Sequence, residues 1–229
     1  MNYQRFRPTS QNRMPPGVLN LIIINAIMFL AKYLAATKLI DLDILFGLHH
    51  PFSPDFHYYQ YITSMFMHAD FSHILFNMFG LWIFGAMLEN AFGTKRFLIY
   101  YLICGIGASF IYQIWGSIVQ YNHFVGNVPG IIEALKTYPP GGYLIGASGA
   151  VYGILMGAAM IFPNTEMYMM FIPIPVKLKW LAIIYGGVEL YNSWHVAQGD
   201  NVAHFAHIGG MIFGFILVKI YSRSKTHFY

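Results

Sequence analysis

Six apolar stretches, each about as long as a bilayer is thick, run through this 229-residue sequence. A hydrocarbon core of about 30 Å takes roughly 20 residues of helix. Lipid offers no partners to backbone N–H and C=O groups, so a spanning segment must satisfy them internally. The stretches lie at about 18–36, 59–89, 96–119, 146–163, 179–194 and 202–220. The second is longer than a span needs, and its amino-terminal part reads as a partly wet lead-in. Three longer connections remain, at 37–58, 120–145 and 163–178. Hydrophobic side chains make up 57% of the chain and charged ones only 10%, which excludes an ordinary soluble domain. The expected fold is all-α, a polytopic six-helix membrane bundle over 18–222, with polar tails at 1–17 and 223–229.

The basic residues test that count, because cytoplasmic flanks attract lysine and arginine. With the amino terminus inside, Arg5, Arg7, Arg13, Lys95, Arg96, Lys177, Lys179, Lys219, Arg223 and Lys225 fall on or near the cytoplasmic side. Only Lys32, Lys38 and Lys136 fall outside, so ten of thirteen agree. Both termini are therefore expected in the cytoplasm. The net charge of +4 is spread between apolar runs instead of forming one basic face, so it marks topology and no nucleic-acid partner is expected. Cys104, the single cysteine, excludes an internal disulfide and a multi-cysteine metal site. Residues 1–17 are polar and the following run leads into no small-residue cleavage pattern, so no cleavable leader is expected.

Polar groups inside the apolar stretches are the functional candidates. Ser148 sits between glycines in Gly146-Ala147-Ser148-Gly149, at the start of the fourth stretch, and His207 lies early in the sixth. Both belong to segments descending from the outer face, so both lie in the outer half of the bilayer. Gly149, Gly153 and Gly157 recur every four residues, as do Ala206, Gly210 and Gly214, and small residues at that spacing let two helices approach closely. Such approach brings Ser148 beside His207, where a neutral imidazole can activate a hydroxyl as a nucleophile. Neither stretch holds an aspartate or glutamate, so no acidic third partner is apparent and slow turnover is expected. Tyr152, one turn after Ser148, is placed to pack against the imidazole. His73 and Asn77, at i and i+4 of the second stretch, can donate hydrogen bonds to an oxyanion, together with the Ser148 backbone N–H.

These residues resemble the rhomboid family of intramembrane serine proteases in three separated places: His73-Ile74-Leu75-Phe76-Asn77 for HxxxN, Gly146-Ala147-Ser148-Gly149 for GxSG, and Ala206-His207-Ile208-Gly209-Gly210 for AHxxG. The resemblance implies a six-helix core with Ser148 as nucleophile and His207 as general base. His73 and Asn77 then stand in the oxyanion region and Tyr152 supports the imidazole. It also implies substrates that are single-span transmembrane proteins, cut near the outer membrane boundary within membrane lipid, with a small residue before the cut. No metal and no organic cofactor are implied, and a bacterial inner membrane is the expected location. The sequence departs from some members in carrying Ser64 where a further histidine can stand, and in lacking a Trp-Arg pair in 37–58. Glu189 reads as facing external water or a polar partner, His204 as a neighbour of the cavity, and the Glu89, Gly93, Lys95, Arg96 group as a cytoplasmic turn.

Two other readings compete. His68, His73, His204 and His207 can converge at one depth as metal ligands, although that leaves the glycine-bracketed serine unexplained. A rhomboid-like binder that does not cut is the other, against which both the serine and the histidine are present.

Overall fold

The computed structural model describes residues 14–123, 142–169, 172–194 and 203–223. Residues 1–13, 124–141 of the second connection, 170–171 of the third, 195–202 and 224–229 lie outside the described residues, as do the side chains of Arg5, Arg7, Arg13, Lys136, Arg223 and Lys225 among those counted for topology. The helices are α1 (Pro16–Ala36), α2 (Leu42–Phe46), α3 (Gln60–Thr63), α4 (Phe71–Phe92), α5 (Thr94–His123), α6 (Ser148–Ile161), α7 (Leu178–Trp194) and α8 (His204–Arg223). Four of them have segments long and apolar enough to cross a membrane: Pro16–Ala36, Phe71–Phe92, Thr94–Ile118 and His204–Ser222. The other two expected spans are the 14-residue α6 and the 17-residue α7. At 1.5 Å per residue α6 is about 21 Å long, shorter than the hydrocarbon core.

That shortness is tolerable because α6 is walled by its neighbours. Eight of its residues, from Gly149 to Ala159, are buried, and its small side chains let α5 and α8 close on it. Tyr100 of α5 donates its hydroxyl to the Gly153 carbonyl at 2.9 Å. Phe97, Tyr100, Tyr101 and Cys104 of α5 pack with Leu88 of α4 and with Ile154 and Ala158 of α6 as the fully buried centre. By contrast, α1 presents Ile23, Ile27, Leu30 and Leu34 outward, and α7 presents Trp180, Ile183, Ile184 and Trp194. These are faces for lipid, where apolar exposure costs nothing.

The long second stretch divides. Its beginning forms α3 and a 3₁₀ turn at Ser64–Phe66, and α4 starts afresh at Phe71. Asp70 caps that start by accepting from the His73 N–H at 2.9 Å and the Ser72 hydroxyl at 2.6 Å. The Ser72 hydroxyl, with the His73 N–H, holds the Asp70 carboxyl below its ordinary range. Within α4, Leu81–Gly85 is a π-helical turn between two α-helical parts. The 37–58 connection is held by the buried Gln60, whose amide donates to the carbonyls of Leu45 and Asp55 and whose oxygen accepts from the N–H groups of His49 and His57. The 163–178 connection holds structure that the hydrophobic runs did not announce: β1 (Glu166–Met169) and β2 (Ile172–Lys177) pair antiparallel, with Glu166 opposite Lys177.

Glu89 has a defined structural role at the end of α4. Its buried carboxylate accepts from the N–H groups of Gly17 and Val18 at 2.8 and 2.7 Å and from the Thr94 hydroxyl at 2.7 Å. It satisfies the first turn of α1, whose N–H groups have no partner within their own helix, and places negative charge at the positive end of that helix. Glu89→Ala is expected to destabilise the fold by about 4 kcal/mol or more, since it removes three hydrogen bonds to a charged group, each worth about 1.5–3 kcal/mol. Thermal denaturation in detergent checks this, with Glu89→Gln losing less because its oxygen still accepts.

Candidate active site

Ser148 is the first residue of α6, and the preceding turn exists because of Gly146, whose φ of +125° is one that side chains rarely adopt. The Gly146 N–H is anchored on the Ser64 carbonyl at 2.9 Å. Its missing side chain matters as much as its backbone: a Cβ there would lie 2.7 Å from His73 Nε2 and 3.7 Å from Ser148 Oγ. Glycine thus keeps open the space between the serine hydroxyl and the imidazole of α4. A small cavity also borders Ser148, lined among others by Met65, Ser109, Leu144 and Ala206.

The approach of α6 to α8 follows the two small-residue stripes, with Gly149 against Gly210 and Gly153 against Gly214. It brings His207 Nε2 to 2.8 Å from Ser148 Oγ. The Tyr152 ring lies flat on the His207 ring, with centroids 4.3 Å apart and planes 7° from parallel. Ser148, His207 and Tyr152 are therefore together.

His73 and Asn77 sit on the facing side of α4. The His73 ring reaches Gly146, as above, and packs edge-on to the buried His68 ring at 5.0 Å. Asn77 is buried and donates from Nδ2 to the His73 carbonyl at 2.9 Å, a bond within its own helix that leaves its other N–H proton uncommitted. His73 adjoins the serine turn directly, whereas Asn77 stands one helical turn further along α4.

The expectation that no acidic group approaches the pair is corrected by Glu189 of α7. Its Oε2 is 3.0 Å from His207 Nδ1 and 2.6 Å from His204 Nδ1, and its Oε1 accepts from the Tyr152 hydroxyl. Glu189, His204 and His207 are all buried. The polar partner expected for Glu189 is thus the candidate site itself. Neither α6 nor α8 carries a carboxylate, and this one arrives from a third helix. A signal was present, since a carboxylate within an apolar stretch needs a partner; what was missing was which helix would supply one. Glu189, His204 and His207 also hold three ligand-type atoms within 4.8 Å of one another, the one set among the described residues that could take a metal ion. Of the four histidines expected to converge, His68 packs edge-on to His73 and His204 edge-on to His207.

The geometry sets a serine hydroxyl within hydrogen-bond reach of an imidazole among apolar helices. The sequence model of the Rhomboid domain matches residues 55–224. The chain belongs to the rhomboid family. RHOMBOID-like protein 12, mitochondrial, of Arabidopsis thaliana is 31% identical to this rhomboid over 195 residues, covering 84% of this chain and 54% of the relative. Rhomboid protease GlpG of Salmonella paratyphi A is 24% identical over 222 residues, covering 96% of this chain and 69% of the relative. Rhomboid-like protein 11, chloroplastic, of Arabidopsis thaliana is 25% identical over 236 residues, at 93% and 69%. The rhomboid described here spans about half the length of the first relative and about two thirds of the other two. It is a mostly helical integral membrane protein.

Proposed function

We propose that this rhomboid is an intramembrane serine endopeptidase acting on single-span transmembrane proteins, with Ser148 as nucleophile and His207 as general base. The observation that carries the reading is the 2.8 Å separation of Ser148 Oγ and His207 Nε2 within a helical bundle. A proton on Nδ1 leaves Nε2 as the acceptor facing the hydroxyl. Oγ attacks the carbonyl carbon of the scissile bond as its proton passes to Nε2. The resulting oxyanion takes hydrogen bonds from the Ser148 N–H, which has no partner at the helix start, and from His73 and Asn77. Collapse breaks the C–N bond, and the imidazolium returns the proton to the leaving amine. Water then attacks the acyl-enzyme, giving its proton to Nε2, and the second collapse restores the serine.

The site also constrains the substrate. A peptide bond held within a helix is not open to a hydroxyl among helices, so substrates should unwind easily near their outer end, and glycine, alanine or proline near the cut favours that. A small side chain before the scissile bond is carried over from the family resemblance. Placement in a bacterial inner membrane, both tails cytoplasmic, is supported by the distribution of basic residues and by alignment with the Salmonella relatives over 96% of this chain. Neither metal nor organic cofactor enters the proposed reaction.

A fluorophosphonate probe tests the reading on purified, detergent-solubilised protein. The expected result is a phosphonyl adduct on Ser148, located by mass spectrometry of the derived peptide. Folded protein that stays unlabelled overturns the proposal, because an unassembled pair has no activated hydroxyl.

A further inference from the structure

We infer that Glu189 is the positioning residue for His207, so that this rhomboid works with three groups from three helices. The inference rests on the Ser148–His207 reading above. Three observations support it. First, Glu189 is buried on a helix whose other faces are strongly apolar, and a carboxylate placed there needs compensation by charge or hydrogen bonds. Second, two neighbours fix the carboxylate in one orientation: the Tyr152 hydroxyl donates to Oε1 and His204 Nδ1 lies 2.6 Å from Oε2. Third, in that orientation Oε2 stands 3.0 Å from His207 Nδ1, a buried nitrogen with no aligned hydrogen-bond partner.

A neutral polar residue would suffice if Glu189 only tied α7 to α6 and α8. A charge costs more to bury than an amide, and it is most useful where a positive charge develops beside it. That occurs at His207 when Nε2 takes the Ser148 proton. Glu189 then holds the proton already on Nδ1, keeping Nε2 free in the resting state, and it stabilises the imidazolium without taking the proton itself. The present 3.0 Å contact lacks hydrogen-bond alignment, as resting sites often do, and the growing charge on the ring draws it into line. Tyr152 joins the two parts of the device by covering the imidazole with its ring and holding the carboxylate with its hydroxyl.

The test compares Glu189→Gln and Glu189→Asp with wild type, using full-length protein in detergent and the fluorophosphonate probe at several concentrations. Glu189→Gln should lower the maximal labelling rate about 10²-fold, within the range for general-base catalysis, while leaving the half-saturating probe concentration unchanged. Glu189→Asp, which keeps the charge, should recover part of the rate. A Glu189→Gln protein that labels at the wild-type rate overturns the inference. So does an equal loss in both variants that tracks a fall in thermal stability, because a tie between helices explains that pattern. A further measurement needs no variant at Glu189: nitrogen-15 NMR of the histidines, with His207 assigned by its absence in His207→Ala, should show the proton on Nδ1. The Nε2–H tautomer overturns the inference whether or not Glu189→Gln folds. Wild-type protein that fails to label at all refutes the Ser148–His207 reading itself, a result distinct from normal wild-type labelling that ignores Glu189.

Discussion

Ser148→Ala is expected to lower cleavage of a transmembrane substrate by on the order of 10³-fold or more, with little change in thermal stability. The substitution removes one atom from a half-buried site that already borders a small cavity. The lost hydrogen bond to His207 is worth about 1 kcal/mol to the fold. The catalytic loss is far larger because no covalent intermediate can form. His207→Ala should match it, and the double variant should be no slower than either alone, since nucleophile and base act as one unit. Measured by the appearance of the amino-terminal fragment in detergent or liposomes, cleavage by Ser148→Ala within about tenfold of wild type would mean that another group attacks the peptide bond.

Gly210→Ala is the second large effect, and it acts through the fold. A Cβ at this position would fall on the Gly149 carbonyl oxygen, backbone atoms of α6 that no rotamer change can move. The helices must separate, and overpacking of this kind costs about 1–3 kcal/mol, here at the upper end because the clash is with backbone. Separation also draws His207, three residues earlier on α8, away from Ser148. Thermal stability and fluorophosphonate labelling should therefore fall together although both reactive side chains are intact. Gly187→Ala on α7 is the control, since a Cβ there meets nothing within 4 Å and alanine is the better helix former. If Gly210→Ala labels as fast as wild type, close approach of α6 and α8 is not what assembles the pair.

Much of this architecture was legible in the sequence because it rests on local or periodic signals. Apolar run length locates α1, α5 and α8 to within a few residues, and the glycine and alanine stripes point to the α6–α8 contact. The stretch at 59–89 was less legible. Hydrophobicity alone does not show that Asp70 caps a new helix and divides the segment in two. The 163–178 strand pair was missed because Ile172–Lys177 contains two prolines and its pairing depends on contacts with a separate segment, Glu166–Met169.

The candidate site divides along the same line. Ser148, His207 and Tyr152 were recognisable because each is defined by its spacing from glycines or by one helical turn, and His73 and Asn77 by their i, i+4 relation. By itself, the sequence determined the long apolar helices α1, α5 and α8 and which faces of α6 and α8 meet, since backbone hydrogen bonding in lipid and small-residue periodicity are properties of short segments. Only the tertiary structure decided that Glu189 of α7 reaches His204, His207 and Tyr152. Helical periodicity assigns a carboxylate to a face, but which distant helix stands opposite that face, and within 3.0 Å, depends on how the whole bundle packs.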